Sequence, residues 1–350
     1  MVRVIQWATG VVGQHVIRAI QGHPDLELVG ALVYSDEKDG RDVGDICGID
    51  RIGVTATKDR DAIIAMDADC VLYAPIGESR AEDALDDICR LLESGKNVIS
   101  MAVTGLIYPK VLGDSVVKRL DDACAAGGAS FHGTGIEPGW VADVLPLTIS
   151  ALSRRIDSIK AMELMDYASY DNDILFNVMG FNQDPDKELE FDFPALIRVS
   201  FGAPLMLIAD GLGATIEDFV FNREVAVADR SFDVAAGRVE AGRVSAQRVS
   251  LTAIIAGRPS LTVEHITRLG RDQAPQWANG HGYRVEVEGE PSFLFVSELG
   301  VHGEDENDQG CIGTAMHGVH AVVPVCAASP GIKTVLDLPM IIGRHTISTG

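Results

Sequence analysis

Short apolar runs and amphipathic stretches alternate over the first 140 residues. Arg3-Val4-Ile5-Gln6-Trp7 reads as a buried strand, Ala8-Thr9-Gly10-Val11-Val12-Gly13 as a glycine turn, and Gln14 to Gln21 as a helix closed by Gly22 and Pro24. Leu26 to Tyr34 is the next strand. Val71-Leu72-Tyr73-Ala74-Pro75 is a strand running into a loop, Glu82 to Ser94 an amphipathic helix stopped by Gly95, and Asn97-Val98-Ile99-Ser100 a further strand. Val116 to Ala126 gives a helix closed by Gly127-Gly128, and Ala129 to His132 a strand again. This rhythm predicts an α/β fold, a doubly wound parallel sheet with helices on both faces.

The texture changes near residue 151. Ile156 to Asp166, Arg238 to Ile255, Ser260 to Arg268, Gly282 to Val287 and Ser292 to Glu298 read as longer strands joined by turns. Tyr283-Arg284-Val285-Glu286-Val287-Glu288 alternates strictly, the mark of a strand covered on one face and hence of a largely antiparallel sheet. Leu205 to Leu212 and Ala214 to Phe221 fit helical pieces, and Gly313 to Ala328 is apolar and helix-length. The expected organisation is a first domain over 1–140, completed by about 311–350, and a second α+β domain over 141–310.

With 350 residues and 47% hydrophobic content the chain can bury two cores. No run of consecutive apolar residues approaches the ~18 of a membrane span, and the N-terminus reads as going straight into the strand at Arg3, without a charged-then-apolar leader. Cys47, Cys70, Cys89, Cys124, Cys311 and Cys326 lack metal-ligand spacing and read as small core hydrophobes in a reducing cytoplasm. A formal charge of -22 argues against nucleic-acid binding, since phosphates would be repelled. The same field disfavours any anionic ligand, so a phosphate-bearing cofactor needs local amides and cations.

The first turn supplies such amides. A helix N-terminus presents unpaired N–H groups and the positive end of its dipole, a natural seat for pyrophosphate. Thr9, Gly10, Val11, Val12 and Gly13 would form that seat; Gly10 permits close backbone approach and Gly13 lets the helix pack on the strand. Ala8 stands where the first glycine of G-x-G-x-x-G would be. The end of the second strand chooses between NAD and NADP. Ser35, Lys38 and Arg41 can hold a 2′-phosphate, Asp36 can take a ribose instead, and a solvated charged loop is the plain alternative; the balance favours NADP(H) over NAD(H).

Gly133-Thr134-Gly135-Ile136-Glu137-Pro138-Gly139-Trp140 places three glycines and a proline after the last strand of the first domain. Such a loop serves either as a domain crossing or as a lining for the nicotinamide end of a cleft. Ala74, Pro75, Thr104, Gly135, Ile136 and Pro138 are the expected cofactor contacts there, with Tyr108 and Glu137 towards substrate. Met165-Asp166-Tyr167-Ala168-Ser169-Tyr170-Asp171 ends the first strand of the second domain. Tyr170 or Tyr167 would be the proton donor, a role that requires cationic or hydrogen-bonding neighbours to lower a tyrosine pKa. Asp166 and His265 are further acid–base candidates, set against a polar strand-to-loop junction and a hydrogen-bonded sheet histidine. His317 and His320 lack an acidic ligand pair, and Asp305-x-Asn307-x-Gln309-Gly310 has Met316 where a calcium loop needs glutamate; no metal site is expected.

The stretch Val4 to Gly13, the loop Gly133 to Trp140 and the segment Met165 to Asp171, together with Val263-Glu264-His265-Ile266-Thr267-Arg268-Leu269 and Leu336-Asp337-Leu338-Pro339, resemble a group of actinobacterial proteins. That group is dihydrodipicolinate reductase-like and related to 2,4-diaminopentanoate dehydrogenase and the native NAD(P)-dependent amine dehydrogenases. The resemblance implies a Rossmann domain, a substrate domain that also forms a homodimer, and hydride transfer at a carbon–nitrogen or carbonyl centre of a small molecule. Two departures stand out. The loop Phe131-His132-Gly133-Thr134-Gly135 lacks the lysine proton donor of true dihydrodipicolinate reductases. Met101-Ala102-Val103-Thr104-Gly105-Leu106 lacks the glutamate that the resemblance places there, so amine chemistry would need Glu137, Asp166 or Asp171. A ketone or aldehyde reductase, or a dinucleotide-binding sensor without catalysis, are the alternative expectations.

Overall fold

The computed structural model describes residues 1–76, 80–171, 174–187 and 193–347. The chain divides into two compact units, Met1–Gly139 with Cys311–Gly350, and Trp140–Gly310.

The first unit alternates β1 (Val2–Trp7), α1 (Val11–Ile20), β2 (Leu26–Leu32), α2 (Val43–Cys47), β3 (Ala56–Thr57), α3 (Arg60–Ala65), β4 (Cys70–Tyr73), α4 (Ala81–Glu93), β5 (Asn97–Ser100), α5 (Asp114–Gly127) and β6 (Ser130–Gly133). Two short 3-10 turns, Thr104–Ile107 and Pro109–Leu112, lie between β5 and α5. The second unit contributes α6 (Val144–Ser150), β7 (Arg155–Asp166), α7 (Ile174–Asn177), α8 (Phe193–Ser200), α9 (Gly202–Gly211), β8 (Asp218–Val227), β9 (Phe232–Val234), β10 (Gly237–Val239), β11 (Val244–Ile255), β12 (Arg258–Arg268), β13 (Gly282–Glu290) and β14 (Phe293–Glu298). The long helix α10 (Glu306–Ala327) and β15 (Gly331–Lys333) follow.

The first sheet runs β15-β6-β5-β4-β1-β2-β3 with every pairing parallel. Its strands are buried on both faces, as a parallel sheet requires. Ile5, Trp7, Val71 and Tyr73 pack with Leu85 and Ile88 of α4 and Leu120 and Cys124 of α5. Val4, Cys70 and Leu72 turn the other way, against Val16, Ile17 and Ile20 of α1 and Val319, Val322 and Val325 of α10. Alternation by two along each strand therefore feeds two separate cores. Glycines let α10 approach this unit closely: Cβ atoms added at Gly313 and Gly318 would lie 2.5 Å from Ile136 Cδ1 and 2.5 Å from Met101 Sδ.

The second sheet runs β14-β13-β7-β12-β11-β8. All its pairings are antiparallel except β7 with β12. Two expectations fail here. Ala214 to Phe221 is not helical; β8 begins at Asp218 and pairs with β11, because its alternating half-exposed residues find a strand partner. Arg238 to Ile255 is not one strand; it breaks at 240–243, where Gly242 has φ +78, into β10 of a hairpin and β11. α1 starts at Val11, three residues earlier than the pattern placed it.

Two helical stretches, Phe193–Gly211 and Glu306–Ala327, are long and apolar enough to cross a bilayer by length and composition alone. Leu205, Leu207 and Ile208 of the first and Ala315, Val319 and Val322 of the second are buried in the protein. All six cysteines are free.

His132 on β6 is wholly buried, and its Nδ1 donates to the Lys333 carbonyl at 2.8 Å. Burial pushes its pKa down to about 4, so it stays neutral in the folded chain while an unfolded histidine takes a proton below about 6.5. Stability therefore falls as pH drops from about 6.5 towards 4, by up to ~3 kcal/mol from this residue. Urea denaturation at pH 7 and pH 4.5 is expected to show a smaller acid loss in His132→Asn than in the parent.

Candidate active site

Successive strands of the first sheet end in step. Ala8 N–H donates to the Leu32 carbonyl at 3.0 Å, Ala74 to Trp7 at 3.0 Å, Met101 to Tyr73 at 2.8 Å and Thr134 to Ser100 at 2.9 Å. One row of backbone bonds thus brings the turn after β1, the Ala74–Pro75 loop, the 101–107 segment and the 134–139 loop to one carboxyl edge. Doubly wound sheets take their ligands at this edge.

The first turn is built around one close contact. A Cβ at Gly13 would lie 2.1 Å from the Ala8 carbonyl oxygen, so only glycine lets α1 seat there. The Gln6 side chain donates to the same oxygen at 2.7 Å. Ala8 itself has φ +77, the left-handed region where the usual glycine would rest without strain. Gly10 is the N-cap, and a Cβ there would meet nothing within 4 Å. The first bond of the helix runs from Gln14 N–H to the Gly10 carbonyl at 2.9 Å, so the N–H groups of Val11, Val12 and Gly13 precede the helix's own ladder. These residues fit a dinucleotide: open space over Gly10, amides aimed into it, and the positive end of a helix dipole.

Lys38 Nζ donates to the Thr9 carbonyl at 2.9 Å, which places this ammonium beside the turn. Ser35 is exposed two residues beyond the buried end of the strand path. Arg41 turns away, with Nη2 3.4 Å from the Asp45 carbonyl. Asp36 is engaged by Lys58, whose ammonium holds its carboxyl below the usual range. The linear pattern missed Tyr34: its hydroxyl accepts from Trp7 Nε1 at 3.0 Å, and Arg60 and Arg80 stand 5.7 and 5.2 Å from its ring centre. Their separation in sequence hides this group.

The 134–139 loop closes on itself. A Cβ at Gly139, whose φ is +125, would lie 2.2 Å from Gly135 N, and Gly135 is 2.7 Å from the Pro138 carbonyl by the same measure. Thr134 Oγ1 lies 2.7 Å from His317 Nδ1. Burial pushes the His317 pKa down to about 4, so this histidine works as a neutral hydrogen-bonding partner of the loop. Glu137 is half-buried within the loop, and Tyr108 is buried between the two 3-10 turns with Lys110 Nζ 5.1 Å from its ring centre.

In the second unit, Tyr167 OH donates to Glu163 Oε1 at 2.8 Å. His265 Nδ1 lies 3.6 Å from the same oxygen, and its ring centre is 4.4 Å from that of Phe201. Burial, then the charge of Glu163, raises the Tyr167 pKa well above its ordinary value, opposite to what a phenolic proton donor at neutral pH requires. Tyr170 packs its ring 5.6 Å from that of Tyr167, in an apolar cluster with Leu175, Phe181, Val239 and Leu269.

Asp166 is a turn-former: Oδ1 accepts from Ala168 N–H at 2.9 Å, and its own N–H donates to Glu306 Oε1 at 2.8 Å. Asn307 Nδ2 adds bonds to the Asp166 carbonyl and Ser169 Oγ. The calcium-like run at 305–310 thus serves as a clamp on this turn, and no metal-holding cluster occurs among the described residues. Glu163 escaped the linear reading, although a glutamate amid Met162, Leu164 and Met165 is its visible signal.

A parallel sheet carrying an amide-lined strand–turn–helix junction at its carboxyl edge defines a Rossmann-type dinucleotide-binding protein. Residues 4–106 match the dihydrodipicolinate reductase N-terminus and residues 140–347 the 2,4-diaminopentanoate dehydrogenase C-terminal domain. The chain is 33% identical to an amine dehydrogenase of Streptomyces virginiae, covering 98% of each. It is 24% identical to the 2,4-diaminopentanoate dehydrogenase of Acetoanaerobium sticklandii, over 83% of this chain and 79% of that one. The structure of an amine dehydrogenase from Mycobacterium smegmatis superposes with TM-score 0.78 at 18% identity, covering 98% and 97% of the two chains. The chain belongs to the 2,4-diaminopentanoate dehydrogenase and amine dehydrogenase family, and is an NAD(P)-dependent oxidoreductase of amine dehydrogenase-like type.

The two glycines of the turn separate in their effects. Gly13→Ala is expected to destabilise the chain by about 1–3 kcal/mol in chemical denaturation, because backbone must move to admit the methyl. Gly10→Ala should leave the denaturation midpoint unchanged yet weaken dinucleotide binding at least about tenfold by fluorescence titration, since its methyl occupies ligand space alone.

Proposed function

We propose that this chain is an NADP(H)-preferring dehydrogenase that transfers hydride between the nicotinamide and the carbon of a small amine or imine. The observation that supports the amine class is similarity to an amine dehydrogenase over 98% of both chains. The amides of Val11, Val12 and Gly13, beside Thr9 and Gly10, would hold the cofactor pyrophosphate, and the cofactor would supply the hydride chemistry. Ser35 and Lys38 face the adenosine ribose. Lys38 beside Thr9 and the engagement of Asp36 by Lys58 both favour a 2′-phosphate over a bare ribose. Arg41 is a lesser contributor, since it points to Asp45. Ala74, Pro75, Thr104, Gly135, Ile136 and Pro138 line the nicotinamide end, with Tyr108 and Glu137 nearest to substrate.

For proton handling, His265 and Tyr170 are the groups we assign. Tyr167 positions Glu163, because its proton is held by that carboxylate. Asp166 is committed to the turn, which favours a positioning role. Carbonyl reduction is the second reading, favoured by the absence of any carboxylate from Met101 to Leu106.

NADPH and NADH oxidation across a panel of small ketones and aldehydes, with and without ammonium, tests the reading. Turnover confined to ammonium-containing reactions is the expected result; equal turnover without ammonium would establish carbonyl reduction instead. Lys38→Ala should raise KM for NADPH about tenfold and leave KM for NADH within about twofold, as loss of one charge-assisted phosphate contact predicts. Tyr170→Phe should lower kcat about 10²-fold with little change in KM if its hydroxyl moves the proton.

A further inference from the structure

Three glutamates are buried in the second unit: Glu163, Glu264 and Glu306. Two carry cations of the chain. Glu264 is 2.7 Å from Lys160 and 2.8 Å from Arg248; Glu306 is 3.0 Å from Arg271 and 3.1 Å from His281. Glu163 differs. Its partners among the described residues are the Tyr167 hydroxyl and, at 3.6 Å, the His265 ring, both at Oε1. Oε2 accepts no hydrogen bond from a described residue. The Glu163 side chain is 10% exposed and that of His265 19%, so solvent reaches the pair.

A carboxylate with so little exposed surface is a natural partner for a cation. Strand register says what surrounds it. His265 on β12 and Tyr283 on β13 stand directly across from Glu163, Tyr167 reaches it through its hydroxyl, and the Phe201 ring lies 4.4 Å from that of His265. Arg223 lies in the same cross-strand row through Val249, but three strands away, about 14 Å at the usual strand spacing. Its guanidinium is turned to Gln247 and Phe193. The row therefore holds a carboxylate that pairs with no lysine or arginine among the described residues and whose Oε2 accepts from none of them.

We propose that Glu163 is the anchor for the positively charged nitrogen of the substrate, a primary alkylammonium that donates N–H to Oε2. This rests on the amine reading for the identity of the guest. Tyr167 holds Oε1 and orients the carboxylate.

The test is a ligand-observed proton NMR titration of n-butylammonium into the full chain. Glu163→Gln keeps the shape and an acceptor for Tyr167 but removes the charge; it should weaken binding roughly 10–100-fold. Glu163→Asp keeps the charge and should bind within about tenfold of the parent; Tyr167→Phe should bind within about threefold. NADPH affinity is expected to be unchanged in all three, which also reports that each has folded. No n-butylammonium binding by the parent, unchanged binding by Glu163→Gln, or Glu163→Asp binding as poorly as Glu163→Gln would each overturn the proposal. Amine oxidation is assayed separately: a parent that binds through Glu163 yet oxidises no amine refutes the dehydrogenase reading and keeps the anchor. A parent that oxidises amines with binding indifferent to Glu163→Gln refutes the anchor alone.

Discussion

The contact between the Ala8 carbonyl and the Cα of Gly13 governs the first unit. β1 is paired with β2 on one side and β4 on the other, so the turn that ends it cannot drift without disturbing the interior of the sheet. The chain must reverse within a few residues to seat α1, and any side chain at position 13 would collide with backbone. Ala8 takes a left-handed conformation to make the reversal, at about 1–2 kcal/mol relative to an ordinary one. That cost is offset by the Gln6 amide on its carbonyl and by burial of Val16, Ile17 and Ile20 beneath the helix. The same geometry leaves three amides at the head of α1, so what stabilises the fold also creates the anion seat.

The second unit depends on placement of charge within a sheet. Cross-strand pairing sets His265, Glu163 and Tyr283 side by side on three neighbouring strands. Glu264, one residue along β12 from His265, faces the other way and is neutralised by Lys160 and Arg248. A one-residue slip of register would exchange these environments, turning a compensated carboxylate into an uncompensated one. The parallel pairing of β7 with β12 holds Glu163 against an imidazole rather than a guanidinium. Tyr167 shows both effects: burial first, and then the carboxylate that fixes its hydroxyl, make it a reluctant acid.

Much of the first unit was legible in the order of residues. Parallel strands are buried on both faces, so they appear as uninterrupted apolar runs, and Asn97–Ser100 emerged with the bounds that its pattern indicated. The glycine turn was legible because only glycine tolerates such backbone proximity. Ala214 to Phe221 misled, since a short apolar–polar mixture fits either period and only the partner strand β11 selects one. Arg238 to Ile255 misled because the apolar content on either side of Gly242 conceals the hairpin that ends there.

The sequence by itself determined the alternation of strands and helices and the anion seat at the head of α1, because these follow from local backbone sterics and short-range periodicity, while the dehydrogenase class was implied by its family resemblance. Tertiary structure alone decided which charges compensate which. Lys38 reaches Thr9 across 29 positions, Arg60 and Arg80 converge on Tyr34, and Asn307 clamps the turn at Asp166 from 141 positions away. Electrostatic roles depend on distance in space and on desolvation, neither of which the linear order carries. For that reason Glu163, one acid among many in the sequence, gains its meaning only once His265 and Tyr283 stand on either side of it.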